Sequence, residues 1–166
     1  GVILAADMRG LALGQWIKET TESMVRPNAE ASAILRRFGA SAVTDVTGFG
    51  LAVHLGEMLL ASQAGGAVYK QNLPLLSGAQ SLILDGVRST FHSQNQARAA
   101  SQLRMLGDDL PPILFDPQTS GGLLAALPQE RASSCLAALK DSGDKNSTII
   151  GEVVKTPQKG ALLYLT

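Results

Sequence analysis

The sequence predicts an α+β domain in which helices are layered against a mixed, largely antiparallel sheet. Short apolar segments alternate irregularly with segments whose apolar residues recur at helical spacing. Several strand-like segments follow one another closely enough to pair antiparallel, which favours this class over a regular parallel α/β sheet. The chain has 166 residues, of which 45% are hydrophobic, so it can bury the core of a single domain spanning 1–166.

In the first half, helices are predicted from apolar spacing and from the residues that begin and end them. Asn28 is a candidate N-cap and Gly39 a candidate C-terminal stop for the second helix. Leu51, Leu55 and Leu59 form the apolar stripe of the third helix, which Gly65 and Gly66 are expected to close. The predicted helices are 11–24, 28–38, 51–64 and 76–84, and the predicted strands are 1–6, 42–44 and 67–69.

In the second half, the turn at Asp85-Gly86 leads into a polar segment, 88–96, that has no clear periodicity. Pro111 and Pro112 then interrupt the chain before the short apolar segment 113–115. The predicted helices of this half are 96–106 and 129–141, and the predicted strands are 113–115, 123–127, 148–154 and 161–165.

Composition excludes several classes of function. Fourteen basic and 14 acidic residues give a net charge of zero, and no run of Lys or Arg suits a nucleic-acid backbone. The longest apolar stretches, such as 1–6 and 123–127, are too short to span a bilayer. Cys135 is the only cysteine, so an intrachain disulfide is impossible and a cytoplasmic location is expected. Because Gly1 opens directly into an apolar segment, we expect an excised domain or a proteolytic product.

The first segment with chemical content is 44–50, which reads TDVTGFG between a predicted strand and a predicted helix. Gly48 and Gly50 allow a tight turn and a close approach to a ligand. The free N–H groups of the following helix suit an anion, and Thr47 can either cap that helix or hydrogen-bond a phosphate oxygen. Asp45 beside a phosphate is a typical Mg²⁺ ligand. An ordinary turn explains the same residues about equally well.

The second such segment is 116–122, which reads DPQTSGG before a predicted strand. Gly121 and Gly122 admit backbone conformations in which successive N–H groups form an anion-binding nest. Thr119 and Ser120 add hydroxyl donors. A simple connecting turn accounts for this loop as well, so each segment taken alone leaves the choice open.

Taken together, the two segments resemble the two signatures of selenophosphate synthetases, also called selenide, water dikinases. The first signature extends through Leu51 to His54-Leu55, and the second through Leu123-Leu124. Shorter pieces agree in the same order, so the resemblance covers essentially the whole chain. These pieces are 5–9 (AADMR), 86–90 (GVRST) and 150–153 (IGEV).

The resemblance implies an enzyme that converts selenide, ATP and water into selenophosphate, AMP and phosphate. It implies the C-terminal domain of a two-domain protein in the aminoimidazole ribonucleotide synthetase superfamily, usually dimeric through its N-terminal domain. In that family the aspartate matching Asp45 is a Mg²⁺ ligand, whereas the reactive Cys or selenocysteine and its Lys lie in the N-terminal domain. We therefore expect no catalytic residue in this chain and no activity from it alone. The residues expected to face ATP phosphates are Thr47, Gly48, Gly50, Thr119, Ser120, Gly121 and Gly122.

Two rival interpretations stay open. The chain could serve another activity of the same superfamily, such as thiamine phosphate kinase or hydrogenase-maturation chemistry. It could also be a non-catalytic binding or assembly module of a larger fusion protein. The sequence preceding Gly1 would distinguish these, because a glycine-rich segment with Cys or selenocysteine followed closely by Lys would favour the synthetase.

Several reactive or bulky residues have ordinary structural explanations. Cys135 lies in a helical pattern and is expected to be a packed residue. His54 and His92 have no His or Cys partner at metal-ligand spacing, so a zinc site is not expected. Trp16 fits an apolar helix face and is expected in the core. Two further residues, expected to be solvated rather than phosphate-bound, are Arg9 and Arg88.

Overall fold

The computed structural model describes residues 1–106, 110–155 and 161–166. In this part of the chain, the helices are α1 (Val2–Asp7), α2 (Gly14–Met24), α3 (Ala29–Arg37), α4 (Gly50–Ala61), α5 (Ala79–Leu84), α6 (His92–Gln102) and α7 (Gln129–Asp141). The strands are β1 (Ala42–Asp45), β2 (Gly65–Val68), β3 (Leu103–Leu106), β4 (Leu123–Ala126), β5 (Gly151–Val154) and β6 (Ala161–Leu165). Short 3₁₀ turns occupy Lys70–Asn72 and Pro112–Phe115.

The strands form two sheets. One is the antiparallel pair β1–β4, in which Asp45 lies opposite Leu123. The other has the order β3-β6-β2-β5; β6 pairs parallel with both β2 and β3, and β2 pairs antiparallel with β5. The predicted α+β class with a mixed sheet is therefore confirmed. Among the described strands two pairings are antiparallel and two are parallel, so the expected antiparallel majority is not found.

Three apolar clusters hold these elements together. The largest lies between α4, α6 and the four-stranded sheet, where Val53, Leu163 and Phe115 are almost fully buried. A second cluster joins α1, α2 and α5. The third packs α3 and α7 on β4 around Cys135, which is fully buried. β4 thus contributes Leu123 and Ala125 to the third cluster, and β1 pairs alongside it.

The prediction of a strand at 1–6 is wrong, because Val2–Asp7 is helical. A six-residue apolar segment has no periodicity that separates a strand from a buried helix. Val2, Ile3 and Ala6 are buried together against α5, and this spacing matches one face of a helix. The alanines at positions 5 and 6 also favour helix over strand.

Two glycines predicted to close the third helix belong to a strand instead. Helix α4 ends at Ala61, and Gln63 adopts a φ of +50°, so the chain reverses before it reaches Gly65. Gly65 and Gly66 lie within β2, where a Cβ on Gly66 would sit 3.2 Å from Leu59. The small residues therefore serve the close packing of β2 against α4.

The prediction of a helix at 96–106 and of a polar irregular segment before it is also wrong in its bounds. Helix α6 begins at His92 and ends at Gln102, and β3 follows. Residues 103–106 pair parallel with β6, a partner far away in sequence, and this pairing overrides the local helical pattern.

The prediction of a strand at 113–115 fails because these residues form a 3₁₀ turn beginning at Pro112. Proline fixes φ near the value that the first residue of such a turn requires. The helices predicted at 11–24 and 76–84 begin three residues later than expected, at Gly14 and Ala79, and β5 begins at Gly151 rather than at 148. Asn28 precedes α3 as expected but makes no capping hydrogen bond with its side chain, while Gly39 ends that helix with a φ of +79°.

Candidate functional site

The two glycine-containing loops lie directly beside each other. The backbone amide of Val46 donates a hydrogen bond of 3.0 Å to the carbonyl oxygen of Gly122. The backbone amide of Gln118 donates one of 3.0 Å to the carbonyl oxygen of Thr47. The first of these bonds continues the β1–β4 ladder one step past its last pair, Asp45 and Leu123, and the second joins the two loops beyond the ladder. The structure therefore brings both sequence-predicted segments to one end of one sheet.

Gly121 makes this close approach possible. A Cβ on Gly121 would overlap the carbonyl oxygen of Val46 and would lie 2.6 Å from Oε1 of Gln118. The carbonyl oxygen of Gly121 accepts a hydrogen bond of 2.9 Å from Nδ2 of Asn28. Asn28 thus ties the second loop to the start of α3, a role that its predicted capping function did not anticipate.

The first loop turns tightly into α4. The amide of Gly50 donates to the carbonyl oxygen of Thr47 at 3.0 Å, and Gly50 has a φ of +76°. A Cβ on Gly50 would lie 3.0 Å from the carbonyl oxygens of Leu114 and Asp116. Glycine is therefore required here both by conformation and by packing. Gly48, in contrast, is exposed, and a Cβ there would have no neighbour within 4 Å.

Asp45 ends β1 with an exposed side chain, and its carboxylate makes no hydrogen bond or ion pair with the described residues. In the described ranges, no three His, Cys, Asp or Glu side chains converge in a way that could hold a metal ion. Mg²⁺ is commonly held by one or two carboxylates together with substrate phosphates and water. A single free carboxylate beside two glycine loops fits that mode of binding, but it does not make a complete cage.

The hydroxyl residues of the two loops are placed differently. Thr119 and Ser120 are exposed, and Ser120 adopts a φ of +50°, which is rare outside glycine. Thr47 is half-buried, and its Oγ1 lies 3.1 Å from Nε2 of His54. Thr47 therefore does not cap α4, which has no side-chain capping bond at its start.

Asn95 on α6 is a buried residue of the site that sequence reasoning missed. Its Nδ2 donates to the carbonyl oxygens of Gly48 and Phe115, both at 3.0 Å, and its side chain is only 3% exposed. It thus links the first loop to the turn that leads into the second. The predicted polar segment 88–96 contained this residue, but no local pattern distinguishes Asn95 from its amide neighbours.

Asp116, the first residue of the second segment, is buried rather than ligand-facing. Its Oδ2 accepts a hydrogen bond of 2.8 Å from the amide of Val2 and lies 3.2 Å from the amino group of Gly1. Asp116 therefore anchors the start of α1 beside the loop.

His92, at the start of α6, is buried with its ring edge-on to Phe115, at a centroid distance of 5.9 Å. Burial, and secondly the guanidinium of Arg88, lower the pKa of His92, while Asp116 opposes this shift. Arg88 itself donates to the carbonyl oxygens of Ile83 and Val87, at 2.7 and 2.8 Å. Through these two hydrogen bonds, the Arg88 side chain closes the turn after α5.

Three other residues have the structural roles expected of them. Cys135 is a free, fully buried thiol, and burial raises its pKa. Trp16 packs against the cluster of α1, α2 and α5 and lies close against Gly78. Arg9 is exposed and donates to the carbonyl oxygen of Arg88 at 3.0 Å.

Beside the first loop lies a hollow of about 340 Å³ with two exposed aromatic rings, Phe49 and Phe91. The guanidinium carbon of Arg98 stands 4.2 Å above the Phe49 ring centroid, and Arg98 is also paired with Glu57 at 3.2 Å. The remaining lining comes from Gly48, Gln94 and Asn95. Among the described helices, none combines the length and apolar character needed to cross a lipid bilayer.

The fold defines the chain as an α+β domain of the aminoimidazole ribonucleotide synthetase type. The family model for the AIR synthase related protein, C-terminal domain, matches residues 7–163, so the chain belongs to this family. The resemblance to selenide, water dikinases is also confirmed. The protein of that name from Burkholderia orbicola is 39% identical over 144 residues, covering 84% of this chain and 40% of the relative. That from Clostridioides difficile is 30% identical over 162 residues, covering 96% and 47%.

Solved structures show the same fold. The hydrogenase maturation protein HypE in its complex with HypF has a TM-score of 0.61 and 20% identity, covering 86% of this chain and 39% of that one. HypE in complex with ATP has a TM-score of 0.58 and 18% identity, covering 100% and 44%. The chain therefore spans less than half the length of these relatives, and whole-protein activities remain matters of proposal.

Proposed function

We propose that this chain is the C-terminal domain of a selenophosphate synthetase and completes a Mg-ATP site formed mainly by a separate N-terminal domain. The observation that carries the proposal is the pairing of the two loops through the Val46–Gly122 and Gln118–Thr47 hydrogen bonds. Two loops with glycine-rich backbone at one sheet end can present several N–H groups to one anion. The curated relatives named selenide, water dikinase carry matching sequence over most of this chain.

In the proposed site, Asp45 provides the carboxylate for Mg²⁺, which would neutralise phosphate charge during phosphoryl transfer. The exposed backbone of Gly48, Thr119, Ser120 and Gly122 would face phosphate oxygens. Gly50 and Gly121 act differently, since each permits a close backbone contact. Phosphoryl transfer depends mainly on positioning and charge stabilisation, so a domain without a nucleophile can contribute substantially.

The wider assignment follows from the same proposal. The reactive residue, further metal ligands and most of the nucleotide contacts would belong to the N-terminal domain, with selenide and ATP as substrates. A cytoplasmic, homodimeric full-length protein remains our prediction. The structure of HypE with ATP supports nucleotide binding for this superfamily. At 18% identity, however, its likeness to this chain establishes only that the two share a fold.

The proposal is tested by comparing the full-length protein that carries this chain with the chain alone. Each is supplied with Mg-ATP, with and without selenide, and AMP and phosphate are measured. We expect selenide-dependent AMP formation from the full-length protein and none from the chain alone. ATP turnover at the same rate with and without selenide would instead indicate another activity of the superfamily. No use of nucleotide at all would indicate a binding or assembly module, and robust AMP formation by the isolated chain would overturn the proposed division of labour.

A further inference from the structure

His54 lies in a series of polar contacts that ends at the first glycine loop. Its side chain is largely buried on α4, and its Nε2 lies 3.1 Å from Oγ1 of Thr47. Its Nδ1 lies 3.5 Å from Oε2 of Glu57, one turn further along the helix. The other Glu57 oxygen lies 3.2 Å from Arg98, which itself stacks on Phe49. Nε2 is therefore in hydrogen-bond contact with Thr47, and Nδ1 faces the Glu57 carboxylate in a longer electrostatic contact.

This arrangement selects one tautomer of the neutral imidazole. A carboxylate can only accept hydrogen bonds, so Glu57 favours the tautomer that carries its proton on Nδ1. Nε2 is then an acceptor, and the hydroxyl of Thr47 must donate its proton to it. The Thr47 oxygen can then only accept a hydrogen bond from, or coordinate to, any further partner.

We propose that His54 is a positioning residue that turns the Thr47 hydroxyl into a dedicated acceptor at the loop. The partner class is then a metal cation, a water bound to it, or a ligand N–H group, and not a phosphoryl oxygen. This inference rests on the proposed Mg-ATP function and refines it. It places Thr47 with Asp45 on the cation side of the site, and it leaves phosphate contacts to the exposed loop backbone.

The tautomer can be measured directly in this chain, without reference to activity. The chain contains two histidines, so ¹⁵N-histidine labelling gives two imidazole patterns, and loss of one in His54→Gln assigns it. At about pH 8, where a free imidazole is neutral, we expect protonated Nδ1 and bare Nε2. In Thr47→Val the Nε2 resonance should move toward the value of a nitrogen without a hydrogen bond. Protonation of Nε2 in the wild-type chain would overturn the proposal.

A matched pair of variants tests the consequence in the full-length protein. The amide of Gln can reach the position of Nε2, whereas that of Asn overlaps only Nδ1. We expect His54→Asn and Thr47→Val each to raise the Mg²⁺ concentration needed for half-maximal ATP binding about threefold to tenfold, the effect of one hydrogen bond. His54→Gln should restore near-normal binding, and His54→Asn should add nothing in the Thr47→Val background.

Three outcomes of the variant experiment count against the proposal. These are equal losses in the Gln and Asn variants, unchanged Mg²⁺ dependence in Thr47→Val, and additive losses in the double variant. Thermal melting of each variant separates misfolding from a local effect. If His54→Asn does not fold, the proposal is tested by two remaining measurements: the Mg²⁺ dependence of Thr47→Val and the tautomer of His54 in the wild-type chain. A full-length protein that binds no Mg-ATP would refute the proposed function, while the tautomer would still decide whether His54 orients Thr47.

Discussion

The amide of Gln118 donates a 3.0 Å hydrogen bond to the carbonyl oxygen of Thr47, joining two segments that are distant in sequence. A second bond, from Val46 to Gly122, holds the same two loops one step nearer the strands. Because backbone atoms make both contacts, the convergence depends on how closely the chains approach rather than on particular side chains.

The first prediction concerns the close approach at Gly121. Gly121→Ala places a methyl group on the carbonyl oxygen of Val46, so the loops must move apart, and we expect the free energy of unfolding to fall by roughly 1–3 kcal/mol. Gly122→Ala is the matched control, because a Cβ there has no neighbour within 4 Å, and it should change stability by less than about 0.5 kcal/mol. Urea denaturation measures both; equal midpoints would contradict the packing argument.

The second prediction concerns the link made by Asn95. Asn95→Asp preserves size but replaces the donor with a carboxylate that faces the carbonyl oxygens of Gly48 and Phe115. We expect a loss of roughly 1–3 kcal/mol in unfolding free energy, since a buried group is left unsatisfied. Gln96→Glu makes the same chemical change at an exposed neighbour and should have little effect. Thermal or urea denaturation compares the two variants; equal stability of Asn95→Asp and Gln96→Glu would show that Asn95 does not link the loops.

Elements with strong local signals were predictable from sequence. The stripe of Leu51, Leu55 and Leu59 predicted α4, and the segment 129–141 predicted α7 with the same bounds. Short apolar segments were not predictable in this way: 1–6 became a helix and 113–115 a 3₁₀ turn. The helix at 1–6 depends on the face that it buries against α5, and the turn at 113–115 depends on Pro112; the apolar pattern alone encodes neither.

The candidate site shows the same division. Its glycine loops were found because TDVTGFG and DPQTSGG are long, ordered motifs, and their adjacency follows from the pairing of β1 with β4. Asn95 and the bond between His54 and Thr47 were missed. Their roles arise from contacts across elements, and no spacing in the sequence distinguishes a buried amide or imidazole from an exposed one.

The third prediction concerns the pH dependence of stability. Burial and Arg88 lower the pKa of His92 in the folded protein, so the unfolded chain binds a proton more readily. The free energy of unfolding should therefore fall as pH drops below about 6.5, the ordinary histidine value, and the loss should level off below the folded pKa. His92→Gln removes this contribution, so its stability should vary less between about pH 7 and 5 than that of the wild type. Parallel curves for the two proteins would show that His92 does not titrate differently on unfolding.

The fourth prediction uses the single thiol. Cys135 is fully buried and burial raises its pKa, so the reactive thiolate is both scarce and shielded. We expect the native chain to resist a disulfide reagent at neutral pH and to react fully in denaturant. Rapid stoichiometric labelling of the folded chain would mean that α3 and α7 open readily around Cys135, or that the helices are not packed there as described.

The most direct test of the central account is the activity of Asp45→Asn in the full-length protein. The Asp45 carboxylate is exposed and makes no hydrogen bond or ion pair with the described residues, so the change should leave the melting temperature unaltered. Selenide-dependent AMP formation should fall by about a hundredfold to a thousandfold, the usual effect of removing one important charge contact at a transition state. Asp85→Asn, a change at an exposed turn, should keep wild-type activity. Unchanged AMP formation by Asp45→Asn at limiting Mg²⁺ would contradict the assignment of this loop pair as a metal and phosphate site.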